Sequence, residues 1–293
     1  MSNLPVGQSV FACPICRQMM KRDSVSYRCM SGHSFDIAKE GYVNLLPANQ
    51  KHSDMPGDDR EMVRARTLFL NGGWYAPLRE SLCRLTEMYL GECPTVLDVG
   101  CGEGYYTEAL TQIAEAGNGR TAGVDLSRFA VRKAAKRCDG AEIAVASVYH
   151  LPLKDESVSL LVNCFSPLAA GEFHRVLKPG GYFLYVVPGQ KHLWEMKEIL
   201  YDQPYENELR NEAYEGFSQI EEKSLQFRFH LQKQEEITAL FQMTPYAWKT
   251  PKEGKDRLAE CRELKLTAAF RILIFQKTES ALWTEPEEAR SVI

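Results

Sequence analysis

A mostly parallel, doubly wound α/β sheet preceded by a small metal-clamped module is the fold predicted by three features of this 293-residue sequence. The first is the apolar strand Thr95–Val99, which runs into Gly100, Gly102 and Gly104 and then into a helix from Tyr105 onward. The second is the alternation of strand-like and helix-like segments that follows, the pattern of parallel sheets. The third lies at the front, where Cys13 and Cys16 precede Cys29 and His33 at a metal-ligand spacing.

Composition narrows the choice of class. Apolar residues make up 44% and charged residues 25%, ordinary for a globular chain and far from a disordered or collagen-like one. The length suggests about two domains. A net charge of -4 argues against a protein that coats nucleic acid by bulk charge. The first 80 residues nevertheless carry ten Lys/Arg against eight Asp/Glu. No run of about 18 apolar residues is present, so no membrane span is expected. The start MSNLPVGQSVFACPIC lacks a basic segment followed by a long apolar one, so a cytoplasmic address is expected. Nine cysteines, an odd number, argue against a disulfide framework. Cys83, Cys93, Cys101, Cys138, Cys164 and Cys261 read as small buried hydrophobes.

In chain order, residues 1–50 form the expected zinc-binding ribbon. Cys13, Cys16, Cys29 and His33 supply four ligands and leave no open position, so the metal is expected to be structural. VSYRC between the pairs reads as a strand. Unrelated thiols or a redox CxxC are the rival readings, and the redox one leaves Cys29 and His33 without a role. Arg17, Lys21, Arg22 and Arg28 decorate the module as a solvated or phosphate-facing surface. Residues 51–92 read as a helical linker and pocket lid. KHSDMPGDD is turn chemistry, EMVRARTLFL a helix, and a second helix near 77–90 repeats apolar Leu78, Leu82, Leu85 and Met88. Residues 93–293 hold the sheet, with a substrate-facing insertion at about 190–250, expected as a cap over the substrate, in which LQFRFHLQ reads as a strand. TEPEEAR is expected to be a solvated tail.

The glycine turn decides the ligand. A dinucleotide fingerprint would need Gly at position 105, where Tyr stands. The pattern D-x-G-x-G-x-G, from Asp98 to Gly104, resembles motif I of class I S-adenosylmethionine (AdoMet) methyltransferases. Asp98 and Glu103 suit a cationic ligand better than a phosphate. TAGVDLS ends a second strand at Asp125, which can accept both ribose hydroxyls or cap the next helix; Ser127 can do the capping instead. EIAVASVYHLPL ends a third strand near Ser147, where class I enzymes touch adenine. VSLLVNCFSP is the fourth strand and VLKPGG turns into the fifth, YFLYVVP. AFRILIFQK fits an antiparallel edge strand. The resemblance implies a Rossmann-like, mostly parallel seven-stranded sheet. Ser159 departs from the Asp that many class I enzymes carry in strand four.

Zinc ribbon and class I domain together resemble the bacterial 23S rRNA (guanine-N1)-methyltransferases of the RlmA type. FDIAKEGYVNLL, PGD, LDVGCGEGYYT, PGQKHL and QMTPYAW carry that likeness beside the cysteine cluster. It implies methyl transfer from AdoMet to N1 of a guanine in a hairpin loop of domain II of 23S rRNA. It also implies zinc on Cys13, Cys16, Cys29 and His33, and AdoMet contacts at Gly102, Glu103, Tyr75 and His192. Tyr75 as a core aromatic and His192 as a helix-start residue are the competing readings. Asn163 and Phe165, in the loop Asn163–Pro167 after strand four, are the expected lining of the guanine pocket. That loop only loosely resembles the NPPF/Y motif of amine methylators. Tyr246 and Trp248, beside Lys249 and Lys252, are candidates for RNA stacking or for covering a core. A homodimer with two RNA-facing ribbons is a further expectation. Two other functions stay open: a small-molecule methyltransferase, for instance on a quinone precursor, and a non-catalytic RNA-binding protein on the same fold.

Overall fold

Residues 7–50, 57–209 and 213–278 are described by the computed structural model. The tail TEPEEAR and the KHSDMP part of the expected turn lie outside the described residues. At the front, β1 (Gly7–Ala12), β2 (Met19–Arg22), β3 (Ser26–Cys29) and β4 (Ser34–Asp36) form an antiparallel sheet in chain order. β5 (Val43–Asn44) follows but leaves this sheet.

Two helices then cross to the main body. α1 (Arg60–Asn71) starts where the Asp59 carboxylate accepts the Met62 N–H at 2.9 Å and buries Val63, Ala65, Phe69 and Leu70. α2 (Ala76–Tyr89) carries Pro in its first turn and buries Leu78, Leu82 and Leu85. Met88, expected on the same face, is exposed.

The remaining elements alternate. β6 (Thr95–Val99), α3 (Tyr105–Ala116), β7 (Arg120–Asp125), α4 (Arg128–Arg137) and β8 (Ala141–Val145) come first. β9 (Val158–Cys164), α5 (Ala170–Val176), β10 (Leu177–Pro188) and α6 (Trp194–Leu200) follow. β11 (Phe217–Leu231), α7 (Gln234–Gln242), α8 (Tyr246–Lys249), α9 (Lys252–Glu260) and β12 (Leu264–Lys277) close the fold. The order across the main sheet is β11-β12-β10-β9-β6-β7-β8-β5. Strands β5 to β10 pair in parallel, and β12 runs antiparallel to β10 and β11.

Three details depart from the expectations. AFRILIFQK lies in β12, which is antiparallel but internal; the edge is β11, drawn from the segment expected as a substrate-facing insertion. Its alternating burial is that of an edge strand with one wet face. The seven expected strands gain an eighth, because β5 pairs with β8. Arg22 turns inward over the Tyr27 ring, centroid 6.0 Å away, instead of joining exposed Arg17, Lys21 and Arg28.

The ribbon is therefore not a separate body. Phe11 and Tyr27 share one apolar core with Leu97, Val99, Val124 and Phe183. Buried Glu142 on β8 accepts from Ser9 Oγ at 2.5 Å and from the Val10 N–H at 2.9 Å. The Ala12 N–H donates to Pro152 O at 2.8 Å. Buried donors left without an acceptor cost about 1–3 kcal/mol. Glu142→Ala is accordingly expected to lower unfolding stability by about 2–3 kcal/mol, and Glu142→Gln by less, as read by urea denaturation.

Candidate active site

Strand order reverses between β6 and β9, and the crevice at the carboxyl ends of such strands is where open α/β sheets bind ligands. The glycine loop lies there. Gly100, Gly102 and Gly104 all have positive φ, at 72°, 56° and 88°. Two of the three are confined by protein. A Cβ on Gly100 would strike the Ser166 side chain, and one on Gly104 would lie 2.7 Å from Cys138 Sγ. Gly102 differs: the nearest atoms to its Cβ position belong to Arg66, 4.0 Å away. Its small size leaves open room above the loop.

The half-buried Asp125 carboxylate ties this loop to its surroundings. Oδ2 accepts the Gly102 N–H at 2.9 Å and Oδ1 the Ser127 N–H at 2.7 Å. Capping of α4 falls to Ser127, whose Oγ accepts from the Ala130 N–H at 3.3 Å. The same hydroxyl donates to Asp58 O at 2.6 Å, so Gly57–Asp59 lies strapped across the tip of β7. Asp58 pairs with Arg66 at the mouth of the loop. Burial pushes the Asp125 pKa up, against the lowering effect of its two backbone donors.

Asp98 and Glu103 face inward. Asp98 accepts from Thr107 Oγ1 at 2.6 Å, joining β6 to the first turn of α3. Burial pushes its pKa up to about 7. The native state thus holds a proton that the unfolded chain releases near pH 4, so its contribution to stability falls as pH rises from about 4 to about 7. Glu103 is buried and paired with Arg137 through Oε2, while Oε1 has no partner among the described residues. Its pKa is raised, chiefly by burial. Ser147, at the tip of β8, is half-buried and accepts the Tyr149 N–H at 3.2 Å.

On the β9 side, Asn163 is fully buried, and its amide donates to Pro167 O at 2.9 Å and accepts from the Ser166 N–H at 3.2 Å. Asn163 therefore shapes its own loop. Phe165 is left 46% exposed at φ 60°, packed against Phe270 at 5.5 Å. Tyr75 and His192 come together, with Tyr75 Oη 3.4 Å from His192 Nε2. His192 Nδ1 accepts the Ala269 N–H at 3.2 Å, which puts the ring proton on Nε2 and makes the tyrosine oxygen its acceptor. Burial holds the His192 pKa down to about 3, so the ring is neutral. The Tyr75 ring is buried among Phe69, Phe227, Phe229 and Phe270. Tyr246 packs on the core, whereas Trp248 is 71% exposed beside exposed Lys249 and Lys252.

The second constellation is the metal cluster. Donor atoms of Cys13, Cys16, Cys29 and His33 all lie within 4.8 Å of one another. His33 Nδ1 stands 3.5 Å from Cys13 Sγ and 3.4 Å from Cys29 Sγ. The Gln18 N–H, ahead of smaller contributions, brings Cys16 down to about 6 and favours its thiolate. Three thiols and one imidazole in this closed arrangement fit tetrahedral zinc. The upper site fits a cationic nucleoside: open room over Gly102, an unpartnered Glu103 oxygen, and a carboxylate at a strand tip.

Several contributors were not singled out from the sequence. Arg66 sits in a helix that read as linker, and Asp58 was visible only as a member of PGD. Thr107 and Arg137 were indistinguishable from other helix residues. Ser166 was visible only as a member of its loop.

This arrangement defines a class I AdoMet-dependent methyltransferase carrying a structural zinc ribbon. Residues 11–54 match the family described as "RlmA, N-terminal", a zinc ribbon, and residues 96–181 match "Methyltransferase domain". The 23S rRNA (guanine(748)-N(1))-methyltransferase of Streptomyces fradiae is 32% identical over 273 residues, 89% of this chain and 95% of that protein. YxjB of Bacillus subtilis (strain 168), provisionally assigned to 23S rRNA guanine-N1 methylation, is 34% identical over 282 residues, 93% of this chain and 99% of its own. The chain belongs to this family of 23S rRNA (guanine-N1)-methyltransferases. Among the described residues, no helix is long and apolar enough to cross a membrane.

Two outcomes follow from the geometry. Cys29→Ser is expected to abolish stoichiometric zinc, measured by elemental analysis, and to lower Tm by roughly 5–10 °C. Gly102→Ala is expected to weaken AdoMet binding at least about tenfold, or 1.4 kcal/mol, in calorimetric titration; circular dichroism checks that the fold persists.

Proposed function

We propose that this protein transfers the methyl group of AdoMet to N1 of a guanine in a hairpin loop of domain II of 23S rRNA, and that it acts in the cytoplasm. The observation that carries the reading is the near full-length match to a guanine-N1 enzyme, ribbon and catalytic sheet together. A likeness confined to the sheet would have left the acceptor open.

Bound AdoMet supplies a methyl already activated on a sulfonium, so the chain's own work is alignment. Asp125 takes the ribose hydroxyls on lone pairs left free by the Gly102 and Ser127 N–H groups. Gly102 leaves the nucleoside room, and Gly100 and Gly104 fix the turn around it. Glu103 Oε1 gives the cationic end a polar partner, and Asp98, bound to Thr107 behind it, holds the base of the loop. Ser147 flanks the base. Tyr75 and His192 bound the far side, where neutral His192 turns its Nε2–H toward Tyr75 so that the phenol proton is free to be donated. Asn163 holds the acceptor loop in shape and Phe165 stacks on the guanine turned out of its loop. Guanine N1 gains the methyl, the electron pair of the broken S–CH3 bond stays on sulfur in the departing S-adenosylhomocysteine, and the N1 proton passes to water. Trp248, with Lys249 and Lys252, offers a second stacking surface next to phosphate contacts.

The test is labelled-methyl transfer from AdoMet to 23S rRNA that lacks the modification. Label in that RNA, with a primer-extension stop at one guanine of the domain II loop, supports the reading. Label only in small acceptors such as a quinone precursor, or in none, overturns it. Phe165→Ala is expected to lower kcat/KM for RNA about 10–100-fold, the size of one lost base stack, with AdoMet affinity unchanged.

A further inference from the structure

The helix α4, RFAVRKAAKR, holds five cations and no acid in ten residues, within a chain of net charge -4. It lies alongside α1. The Arg60 guanidinium covers the Phe129 ring at 5.3 Å, and Lys133 Nζ donates to Thr67 Oγ1 at 3.0 Å. Between the helices opens a cavity of about 370 Å³, lined by Arg60, Val63, Phe129, Arg132, Lys133 and Lys136. No carboxylate lines it. Arg132 is committed to Glu40, its Nη2 2.7 Å from Oε1. Arg60, Lys133 and Lys136 have no ion pair among the described residues. Three cations without an ion pair around one concavity give a positive local field that the overall charge conceals.

Position adds to composition. α1 begins two residues after Asp58, on the strap that crosses the Ser127 turn, and α4 begins at that turn, three residues past Asp125. The groove therefore opens beside the glycine loop. Its Glu40 partner belongs to the segment that joins the ribbon to β5. The cavity thus stands between the zinc module and the cofactor loop.

We propose that this α1/α4 groove is a docking site for the sugar–phosphate backbone of the RNA substrate, away from the methylated base. Arg60, Lys133 and Lys136 take phosphate oxygens, and Val63 and Phe129 form an apolar floor for a ribose. Such contacts hold a strand in register without reading its sequence. This rests on the rRNA reading above, and the experiment keeps the two apart.

The variant Arg60→Glu/Lys136→Glu leaves both helices good formers, and both side chains are exposed. Lys154→Glu/Lys178→Glu, also exposed, makes the same change in net charge elsewhere. Each is assayed for KM on the rRNA transcript, for RNA affinity across a salt series, and for AdoMet affinity. The expected result is a KM raised at least about tenfold by the groove variant, with AdoMet affinity kept. The slope of log affinity against log salt should also shrink by about 1.4, two contacts' worth for single-stranded nucleic acid. Arg60→Lys/Lys136→Arg should restore both. Equal effects from the two charge-reversal pairs overturn the proposal, as does an unchanged KM and slope. Competition by inorganic phosphate or a mononucleotide at the groove as strong as by RNA reassigns it to small anions and overturns it too. Failure of the unaltered protein to methylate rRNA would instead strike the reading beneath it.

Discussion

The Asp125 carboxylate is the point on which the active-site architecture turns. One oxygen fixes the middle of the glycine loop through the Gly102 N–H; the other fixes the start of α4 through the Ser127 N–H. Ser127 in turn holds the Asp58 carbonyl, so the segment leading into α1 is fastened to the same spot. Three chain stretches about 25 and 70 residues apart are thereby joined through two neighbouring side chains, Asp125 and Ser127. Each oxygen keeps a second lone pair, so the carboxylate that builds the site also remains available to a ligand's hydroxyls. Alanine there would remove the binding group and release the walls of the pocket together.

Around that point the electrostatics are lopsided. Asp98, Glu103 and Asp125 are three acids within one glycine turn and its neighbouring strand tip, each with its pKa raised first by burial. Removing charged carboxylates from water is costly unless cations accompany them. Arg137 and Arg66 meet part of this need from two helices, yet Glu103 retains an unpartnered oxygen. A pocket in this condition favours a cationic ligand and repels a pyrophosphate. That physical preference agrees with the absence of the third dinucleotide glycine at Tyr105, and the two observations are independent. The basic face of α1 and α4 lies just beyond, so opposite fields stand on either side of the Asp58–Arg66 strap.

Legibility in the sequence follows the range of the interactions. The glycine turn, the strand ending at Asp125 and the two close pairs Cys13/Cys16 and Cys29/His33 were readable because each is a short motif, where spacing is geometry. The apolar faces of α1 and α2 were readable from their period, except at Met88 near a helix end. Partners far along the chain were not. Alternation in LQFRFHLQ announces a strand but not its pairing, so β11 read as part of a cap when its partner lies about forty residues on, in β12. Glu103 was legible as a carboxylate of the glycine turn, but its ion pair with Arg137, one of several basic residues on α4, was not. Asn163 looked like a pocket group because its two hydrogen bonds fall inside its own loop, a use that residue type alone does not announce. Tyr75 was weighed between core and pocket, and four aromatic rings from α1, β11 and β12 surround it while its hydroxyl meets His192.

The ribbon's attachment has the widest consequence. Four short strands around one metal cannot bury a core of their own, and here they borrow one from the sheet through Phe11 and Tyr27 and return an edge strand, β5. A module hung on a flexible linker would search a volume, and each substrate bound to it would still have to find the catalytic crevice. Buried Glu142, the β5–β8 pairing and the shared apolar core remove that freedom before any substrate arrives. Zinc on Cys13, Cys16, Cys29 and His33 would hold the ribbon's two turns together on that frame. For a long polyanion held at several points, such preorganisation reduces the entropy lost when the last contact, a single base against the methyl donor, is made. Four protein ligands would fill the metal's positions, so its place is in the frame of the ribbon and not at the reacting atoms.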